Sequence, residues 1–225
     1  SERATRAAIQ QVPDGIYTAS MTIDGYESPI VLETRLEVIH DQIVLDYAGS
    51  SEASRYGINS PKCYTDAYSV FGLKCVIAPE TPNNHASLSC FDVRAEPGSC
   101  VAPNRPSPVT ARHVIGQMLP DAVFGCLFQA MPDKTPAESS GSIWVLAMSS
   151  ASGAATPFNV MNVGLGGVGA TKDAPGLNTT AFPSGVGGIP IEVTETDSPL
   201  IYRRKEFITD SAGPGRMPGG LSQVI

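Results

Sequence analysis

The stretch Gly164-Leu-Gly-Gly-Val-Gly-Ala170 carries the most informative pattern in this chain. It matches the G-x-G-x-x-G/A pattern of dinucleotide-binding turns, and the apolar residues Phe158–Val163 before it are typical of a strand. A dinucleotide-binding turn also needs a helix directly after the glycines, because the helix amides hold the pyrophosphate. Here Thr171-Lys-Asp-Ala-Pro-Gly176 follows and breaks any helix within one turn. We therefore expect tight turns, in which the backbone passes close to another backbone, a partner chain or a ligand.

The composition around this block predicts a turn-rich protein. The 225 residues include 22 glycines and 19 prolines. Together these are about 18% of the chain, above the average of ~12% for the two residues. Such a chain has short elements and long ordered connections, and its 42% of hydrophobic residues can still supply a core. We predict an α+β fold of mixed strands and helices, turn- and glycine-rich.

Charge and cysteine usage restrict the functional classes. A net charge of −7 argues against nucleic acid as a partner, since its phosphates would be repelled. No stretch approaches the ~20 apolar residues of a membrane span, so we expect no membrane association. The five cysteines form no C-x-x-C pair, which disfavours a zinc ribbon or a thioredoxin-type site. We expect reduced thiols and a cytoplasmic protein.

Hydrophobic periodicity and turn residues predict the elements of the first 131 residues. These are a helix over 1–11, strands over Ile16–Thr22, Pro29–Ile39 and Gln42–Ala48, a helix from Ser60-Pro61 to Val76, a strand over Ser89–Ala95, and a helix from Ser107-Pro108 to Met131. His40-Asp41 predicts a tight hairpin. Pro120 predicts a kink in the last helix or two helices that meet there.

The character of the sequence changes after Pro132, where small residues and short strands take over. The predicted strands are Ser142–Met148, Phe158–Val163, Ile189–Thr194 and Leu200–Thr209. We treat 1–225 as a single fragment with a possible internal shift near 132–136, between an α+β part (1–131) and a glycine-rich β part (137–225). The first ten residues resemble the last turns of a helix that enters from upstream, so we expect a piece of a larger subunit.

Few residues point to chemistry. The three histidines show neither H-x-x-x-H nor H-E-x-x-H spacing, so we expect no metal site and no cofactor site within this chain. Arg112-His113 falls in the first turns of the predicted helix, where a cation beside the helix N-terminus suits a carboxylate or other oxyanion. In the alternative interpretation, Arg112 is solvated and His113 packs against Gly116.

Ser140 is the third candidate for a catalytic role. Ser139-Ser-Gly141 precedes an apolar strand and could place a hydroxyl beside backbone amides. The G-x-S-x-G elbow of hydrolases is missing, and no acid–base partner can be assigned. The candidate site residues are therefore Arg112, His113 and Ser140, and the residues alone do not define a reaction.

The order of several motifs resembles the hydantoinase B/oxoprolinase family over essentially the whole chain. The blocks that carry the resemblance are Ser1–Ala8 with Pro13-Asp-Gly-Ile-Tyr17, Val44-Leu-Asp-Tyr-Ala-Gly-Ser-Ser51, Gly57-Ile-Asn59, Glu96-Pro-Gly-Ser99, Pro136-Ala-Glu-Ser-Ser-Gly141, Gly166–Ala170 with Asp173 and Gly176, and Asp210-Ser-Ala-Gly-Pro-Gly-Arg216 with Gly219-Gly220.

This resemblance implies a function for the parent protein. Family members are large subunits or halves of ATP-dependent enzymes that open a cyclic amide such as a hydantoin or 5-oxoproline. The resemblance implies that ATP, with Mg, is used on a hydantoinase A-type subunit or fused half, in a homo- or hetero-oligomer. The family's metal-binding stretches, N-D-P-Y-x-G-G-T-H-x-x-D and H-H-x-D-x-G-G, do not occur here. A divalent metal would therefore bind upstream of Ser1, and this segment alone would be inactive.

Two alternatives accompany this interpretation. The chain could belong to a subunit of an acetone- or acetophenone-type carboxylase, which is related to the same family. It could also be a non-catalytic scaffold segment that supplies fold and interface. The sequence departs from the family at Leu177–Gly188, where relatives often have a histidine-bearing T-x-N-T-x-N-T-P block.

Overall fold

The structure is a computed structural model that describes residues 1–141 and 143–225. The chain divides into two compact units, Ser1–Pro136 and Ala137–Ile225. The first unit contains four strands and five helices among these residues: α1 Glu2–Ile9, β1 Gly15–Ile23, β2 Ile30–Ile39, β3 Gln42–Asp46, α2 Lys62–Ile77, α3 His85–Leu88, β4 Phe91–Arg94, α4 His113–Gly116 and α5 Leu119–Ala130.

The first unit is built on a four-stranded sheet in the order β1-β2-β3-β4, antiparallel except for the parallel pair β3–β4. Residues of β2 alternate strictly between buried and less buried positions: Leu32, Leu36 and Val38 are buried, and α5 packs on β1 and β2. The predicted hairpin is confirmed: Ile39 pairs with Gln42, and His40 adopts a positive φ of 55° in the two-residue turn. The apolar alternation therefore fixes which face of the sheet receives the helices.

The helix predicted from Ser107-Pro108 begins later than expected. Residues 107–109 have no regular secondary structure, and residues 110–112 form a turn. The amide of Ala111 donates to Gly57 O (2.7 Å), and Asn59 Nδ2 donates to Pro108 O (3.0 Å). These bonds to a distant loop replace the first helical turns. The predicted interruption at Pro120 takes the form of two helices, because α4 ends at Gly116 and Pro120 lies in the first turn of α5.

The second unit consists of short elements. They are β5 Ile143–Ser149, β6 Asn159–Leu165, α6 Ile191–Asp197, β7 Glu206–Phe207 and β8 Gln223–Val224. β5 and β6 form one antiparallel pair, and β7 and β8 form another. Ser142, with which the predicted strand Ser142–Met148 begins, lies outside the described residues.

Two predicted strands of the second unit were wrong. Ile189–Thr194 overlaps a helix, because Pro190 supplies the N-terminal boundary and the buried residues Thr194 and Ser198 lie four positions apart, on one helical face. Leu200–Thr209 is a strand only at Glu206–Phe207, where β8 provides a pairing partner. The amide of Tyr202 instead donates to the Glu195 carboxylate (2.7 Å), which holds the preceding residues against α6.

The buried apolar side chains are distributed unevenly. Leu165 and Ala181 are the buried apolar residues of the second unit among the described residues, and all the others belong to the first unit. No helix within residues 1–141 and 143–225 is long and apolar enough to cross a membrane.

Candidate functional site

The three predicted site residues fall in different units. Arg112 and His113 are neighbours at the start of α4 in the first unit, and Ser140 belongs to the second unit.

Arg112 is an exposed residue with an aromatic neighbour. Its guanidinium carbon lies 5.5 Å from the centre of the Tyr64 ring, and Tyr64 stacks on Tyr68 with 4.2 Å between ring centres. Because α4 has only four residues, it offers little of the helix dipole that the long predicted helix would have supplied. The cation is therefore held by an aromatic face, which still leaves its N–H donors available to an anion.

His113 is half-buried, and its pKa is lowered, first by burial and then by the positive charge of Arg112. The imidazole is therefore neutral at pH 7, and it adds no second positive charge beside Arg112. The space at Gly116 is filled by Tyr64, since a Cβ at Gly116 would overlap the Tyr64 ring. The pair thus provides one cation and one neutral imidazole rather than a doubly charged oxyanion site.

A cavity of about 280 Å³ lies in the second unit, and we call it the glycine cleft. Its lining comes from three separate regions of the sequence: Ala137–Ser140, Gly167–Ala170, and a third that contributes Ser211, Gly213, Pro214, Met217, Gly219, Gly220 and Ser222. Three of the motif blocks noted in the sequence therefore line one cleft. The serines at 139, 140, 211 and 222 contribute hydroxyl groups, and Glu138 contributes a carboxylate.

Backbone hydrogen bonds hold these stretches together. Ser140 N donates to Gly167 O (2.9 Å), Gly220 N donates to Val168 O (2.9 Å), and Ala137 N donates to Ala170 O (2.8 Å). A Cβ at Gly167 would overlap the carbonyl of Gly220, and one at Gly169 would overlap that of Ala137. The predicted close approach of backbone to backbone is thus confirmed, and it explains why glycine occupies these positions.

Ser140 lies exposed at the edge of the glycine cleft. The next residue, Gly141, has a φ of +57°, and its amide donates to the Ser139 hydroxyl (3.1 Å). All three histidines of the sequence precede Pro136, so the second unit contains no imidazole base for a serine nucleophile. The catalytic role of Ser140 stays a prediction.

Other motif residues of the first unit position its loops. Ser51 Oγ accepts a hydrogen bond from Val31 N (2.9 Å), and Ser50 Oγ accepts one from Glu33 N (3.0 Å), so the two hydroxyls continue the pairing of β2 beyond the end of β3. The buried Asn59 exchanges hydrogen bonds with the Ser54 backbone through both ends of its amide. Gly98 has a φ of +92°, which favours glycine in the Glu96–Ser99 turn.

Sequence reasoning missed an apolar groove of about 780 Å³ in the first unit. We call it the α2 groove, because α2 supplies its lining from Cys63 to Cys75 and residues between Pro79 and Val93, which include α3 and β4, supply the rest. Its lining includes the exposed side chains of Phe71 and Leu88 and the thiols of Cys63 and Cys75. The sequence of α2 could have indicated this groove. Its apolar residues occupy more than one helical face, as in helices that other elements cover on several sides.

The donor set does not fit a metal within the part of the chain that the structure describes. No group of three or more His, Cys, Asp or Glu side chains there could hold a metal ion. The glycine block likewise opens no helix after Gly169, so it offers no helix N-terminus to a nucleotide phosphate.

Comparison with known proteins identifies the family of the chain. The family model for hydantoinase B/oxoprolinase matches residues 1–225. The chain belongs to the hydantoinase B/oxoprolinase family. The predicted resemblance is confirmed over the whole length of the sequence.

Relatives within the family are longer than this chain. The putative B-type subunit of a D-/L-hydantoinase from Pseudomonas sp. (strain NS671) is 26% identical over 239 aligned positions, covering 100% of this chain and 40% of the relative. An uncharacterized protein from Methanocaldococcus jannaschii is 28% identical over 216 positions, covering 85% of this chain and 34% of that protein. The chain thus spans less than half the length of both curated relatives.

Two solved structures share the fold. An ATP-dependent caprolactamase from Pseudomonas jessenii has a TM-score of 0.86 at 24% identity, covering 99% of this chain and 40% of that chain. A nucleotide-free acetone carboxylase has a TM-score of 0.84 at 16% identity, covering 99% of this chain and 33% of that chain. The predicted mixed α+β fold is confirmed, and it matches a part of a larger chain in both structures.

Proposed function

We propose that this chain is part of the B-type subunit of an ATP-dependent enzyme that opens a cyclic amide of the hydantoin or 5-oxoproline type. The observation that carries the proposal is the convergence of three family motif blocks, distant in sequence, on the glycine cleft. The names of two similar proteins support it, since hydantoins and caprolactam are both cyclic amides.

The cleft suits a small uncharged amide better than a charged ligand. Its volume of about 280 Å³ is close to the ~300 Å³ at which small-molecule sites begin. Serine hydroxyls can donate to an amide carbonyl and accept from an amide N–H. Glu138, the charged residue in the described lining, would repel an anion.

In this proposal the segment is mainly structural, forming the cleft wall and interfaces. ATP, with Mg, would be used on a hydantoinase A-type subunit or fused half. A divalent metal would bind elsewhere in the B-type polypeptide. The described residues of this chain provide no donor set for the metal, and the glycine block opens no helix that could hold a nucleotide phosphate.

A second candidate is a segment of an acetone- or acetophenone-type carboxylase. The fold shared with acetone carboxylase favours it, at a TM-score of 0.84. The lower sequence identity, 16% against 24% for the caprolactamase, places it second. Dependence of ATP turnover on bicarbonate and a ketone would identify this activity.

The test is an ATP hydrolysis assay on the family-length B-type polypeptide with its A-type partner. Hydantoins, 5-oxoproline and caprolactam would be supplied separately, with and without bicarbonate. We expect ATP hydrolysis that requires a cyclic amide and is insensitive to bicarbonate. The absence of turnover with every cyclic amide would refute the proposed activity. Measurable turnover by residues 1–225 alone would refute the proposal that this segment is mainly structural.

A further inference from the structure

The α2 groove leaves large apolar side chains exposed to solvent. Phe71 and Leu88 are large apolar side chains that remain exposed on its walls, and Phe91 and Val93 of β4 form its floor. Contiguous apolar surface of this kind marks a contact with further protein. Its charges indicate what kind of segment the groove accepts.

Lys74 lines the groove and is only 5% exposed. Its ammonium donates to Thr81 O (2.5 Å), and no carboxylate among the described residues lies within ion-pair distance. An ammonium has three donors, and a buried charge is costly unless it is paired. The neighbouring Lys62 differs, because it pairs with Asp66 and also donates to Val93 O (2.9 Å). Lys74 is therefore a cation of the groove that has no carboxylate partner among the described residues.

The beginning of α1 lies at the rim of the groove. Asn84 Nδ2 donates to the Ser1 hydroxyl (2.7 Å), and the residues on either side of Asn84, which are Asn83 and His85, line the groove. Polypeptide that precedes Ser1 in a family-length protein would therefore emerge beside it. The curated relatives are longer than this chain, since the alignments cover 34% and 40% of their lengths.

We propose that the α2 groove is a docking site for an apolar segment of the same B-type polypeptide, N-terminal to Ser1, with a carboxylate that pairs with Lys74. The inference rests on the proposed function only in taking the chain as part of a longer B-type polypeptide. Apolar burial would supply the contact area, and the carboxylate would fix the position of the segment by pairing with the ammonium of a side chain that is already largely buried.

The chain has its own reporters for this contact. Cys63 and Cys75 are exposed thiols of the groove, whereas Cys90, Cys100 and Cys126 are buried. We would compare the rates of maleimide labelling of Cys63 and Cys75 in the 225-residue chain and in the family-length polypeptide. We expect both thiols to react about ten-fold or more slowly in the family-length polypeptide, because a covered thiol reacts only when the contact opens. Cys100 and Cys126 should stay unlabelled in both, which shows that the first unit is folded.

A substitution at Lys74 tests the ion pair. In the family-length polypeptide, K74E should raise the labelling rates of Cys63 and Cys75 towards those of the 225-residue chain. K74M should raise them less, because it keeps the apolar stem and introduces no repulsion. If K74E also exposes Cys100 and Cys126, the K74M comparison decides.

Several outcomes would overturn the proposal. Equal labelling in the two polypeptides would show that the groove stays open. Protection that appears only when the A-type subunit is added, or only at high protein concentration, would assign the groove to another occupant. Labelling does not depend on turnover, so a protein that protects both thiols but lacks ATP hydrolysis contradicts the proposed function and leaves the docking site supported.

Discussion

Side-chain packing holds the first unit together, and backbone contacts hold the second. In Ser1–Pro136, α2 and α5 pack on each other and α5 packs on β1 and β2 of the four-stranded sheet, and most buried apolar residues belong to this unit. In the described part of Ala137–Ile225 the strands form two separate pairs, and glycines let carbonyl and amide groups of separate segments meet directly. A two-stranded sheet is marginally stable by itself in water, so the second unit depends on these backbone contacts.

The difference also appears at the surface. Exposed large apolar side chains occur in both units but are more frequent along the second, where they include Trp144, Met161, Phe207 and Ile201, and Ile201 reaches 83% exposure. Such residues are costly to leave in water when they are clustered, and they mark surfaces that other protein covers. We therefore expect mutations of opposite kinds to damage the two units: loss of side-chain volume in the first, and gain of side-chain volume in the second.

The largest expected effect is at Leu36, which lies on β2 and is fully buried. Leu36→Ala removes packing and leaves a cavity, so we expect a loss of about 3 kcal/mol in the free energy of unfolding, measured by denaturant titration with circular dichroism. Ile201→Ala is the matched control in the second unit, and it should change stability by less than about 0.5 kcal/mol. A comparable loss in both variants would contradict the contrast between the units.

The second prediction concerns Gly167, where a Cβ would overlap the Gly220 carbonyl. Gly167→Ala must push the two backbones apart, and we expect a cost of about 2–3 kcal/mol. Hydrogen exchange should become faster at Val168 and Gly220, whereas the amides of β2 keep their protection.

Gly187→Ala is the control for this substitution, because nothing lies within 4 Å of the added Cβ at Gly187. It should leave exchange unchanged. If Gly167→Ala left the protection of Val168 and Gly220 intact, close backbone approach would not be what holds the glycine cleft together.

The sequence predicted the first unit better than the second, for a physical reason. The strand over Pro29–Ile39 and the turn at His40-Asp41 were predicted from local signals, and both were confirmed. The start of the helix at Ser107 was wrong, because the side chain of Asn59 and the carbonyl of Gly57, some 50 positions away, bind the backbone of residues 108–111. Contacts at that separation leave no local pattern to recognise.

The candidate site shows the same limit. The glycine block predicted close approach but could not name its neighbours, which are the stretches around Ala137 and Gly220. The residues Leu200–Thr209 have the apolar pattern of a strand, yet a strand needs a partner, which β8 and the neighbouring Ser222 supply to residues 206–208. Lys74 was missed because its lysine type predicts a solvated residue, and only the packing of α2 shows that it is buried.

The third prediction uses pH to separate the units. Burial raises the pKa of Cys100 and of Cys126 to about 12, and burial likewise raises the pKa of Tyr47, whose hydroxyl bonds Ser69 Oγ (2.7 Å). The unfolded thiols lose their protons above pH ~8.5 while the folded ones keep them, so the folded state binds more protons. Stability should therefore be complete below that pH and fall as pH rises towards 12, by up to about 1.4 kcal/mol per pH unit for each thiol.

Cys126→Ala tests this dependence. The variant should unfold more easily at pH 7, because a buried side chain is shortened, but its stability should fall less steeply than that of the parent protein between pH 9 and 10.5. The second unit contains no cysteine, so the fluorescence of Trp144, the single tryptophan, should report a smaller alkaline effect. Equal slopes for Cys126→Ala and the parent would mean that this thiol does not titrate differently in the folded state.

The smallest expected effect is at Arg112, whose guanidinium lies over Tyr64 at the protein surface. Arg112→Met keeps the apolar stem and removes the charge, so we expect a stability loss of about 0.5 kcal/mol, as for exposed cation–aromatic contacts. In the complete enzyme we also expect KM and kcat to stay within about two-fold, because a residue outside the reacting centre removes no transition-state interaction.

Arg105→Met is the control for Arg112, since Arg105 is exposed on the preceding loop and has no aromatic partner in the described structure. A ten-fold rise in KM for Arg112→Met alone, with kcat unchanged, would show that this cation binds the substrate in the ground state as well as in the transition state. Arg112, whose observed contact is with Tyr64 at the surface of the first unit, would then belong to the binding site. The first unit would then supply part of the binding site as well as the core, and the cleft of the second unit would not bind the substrate alone.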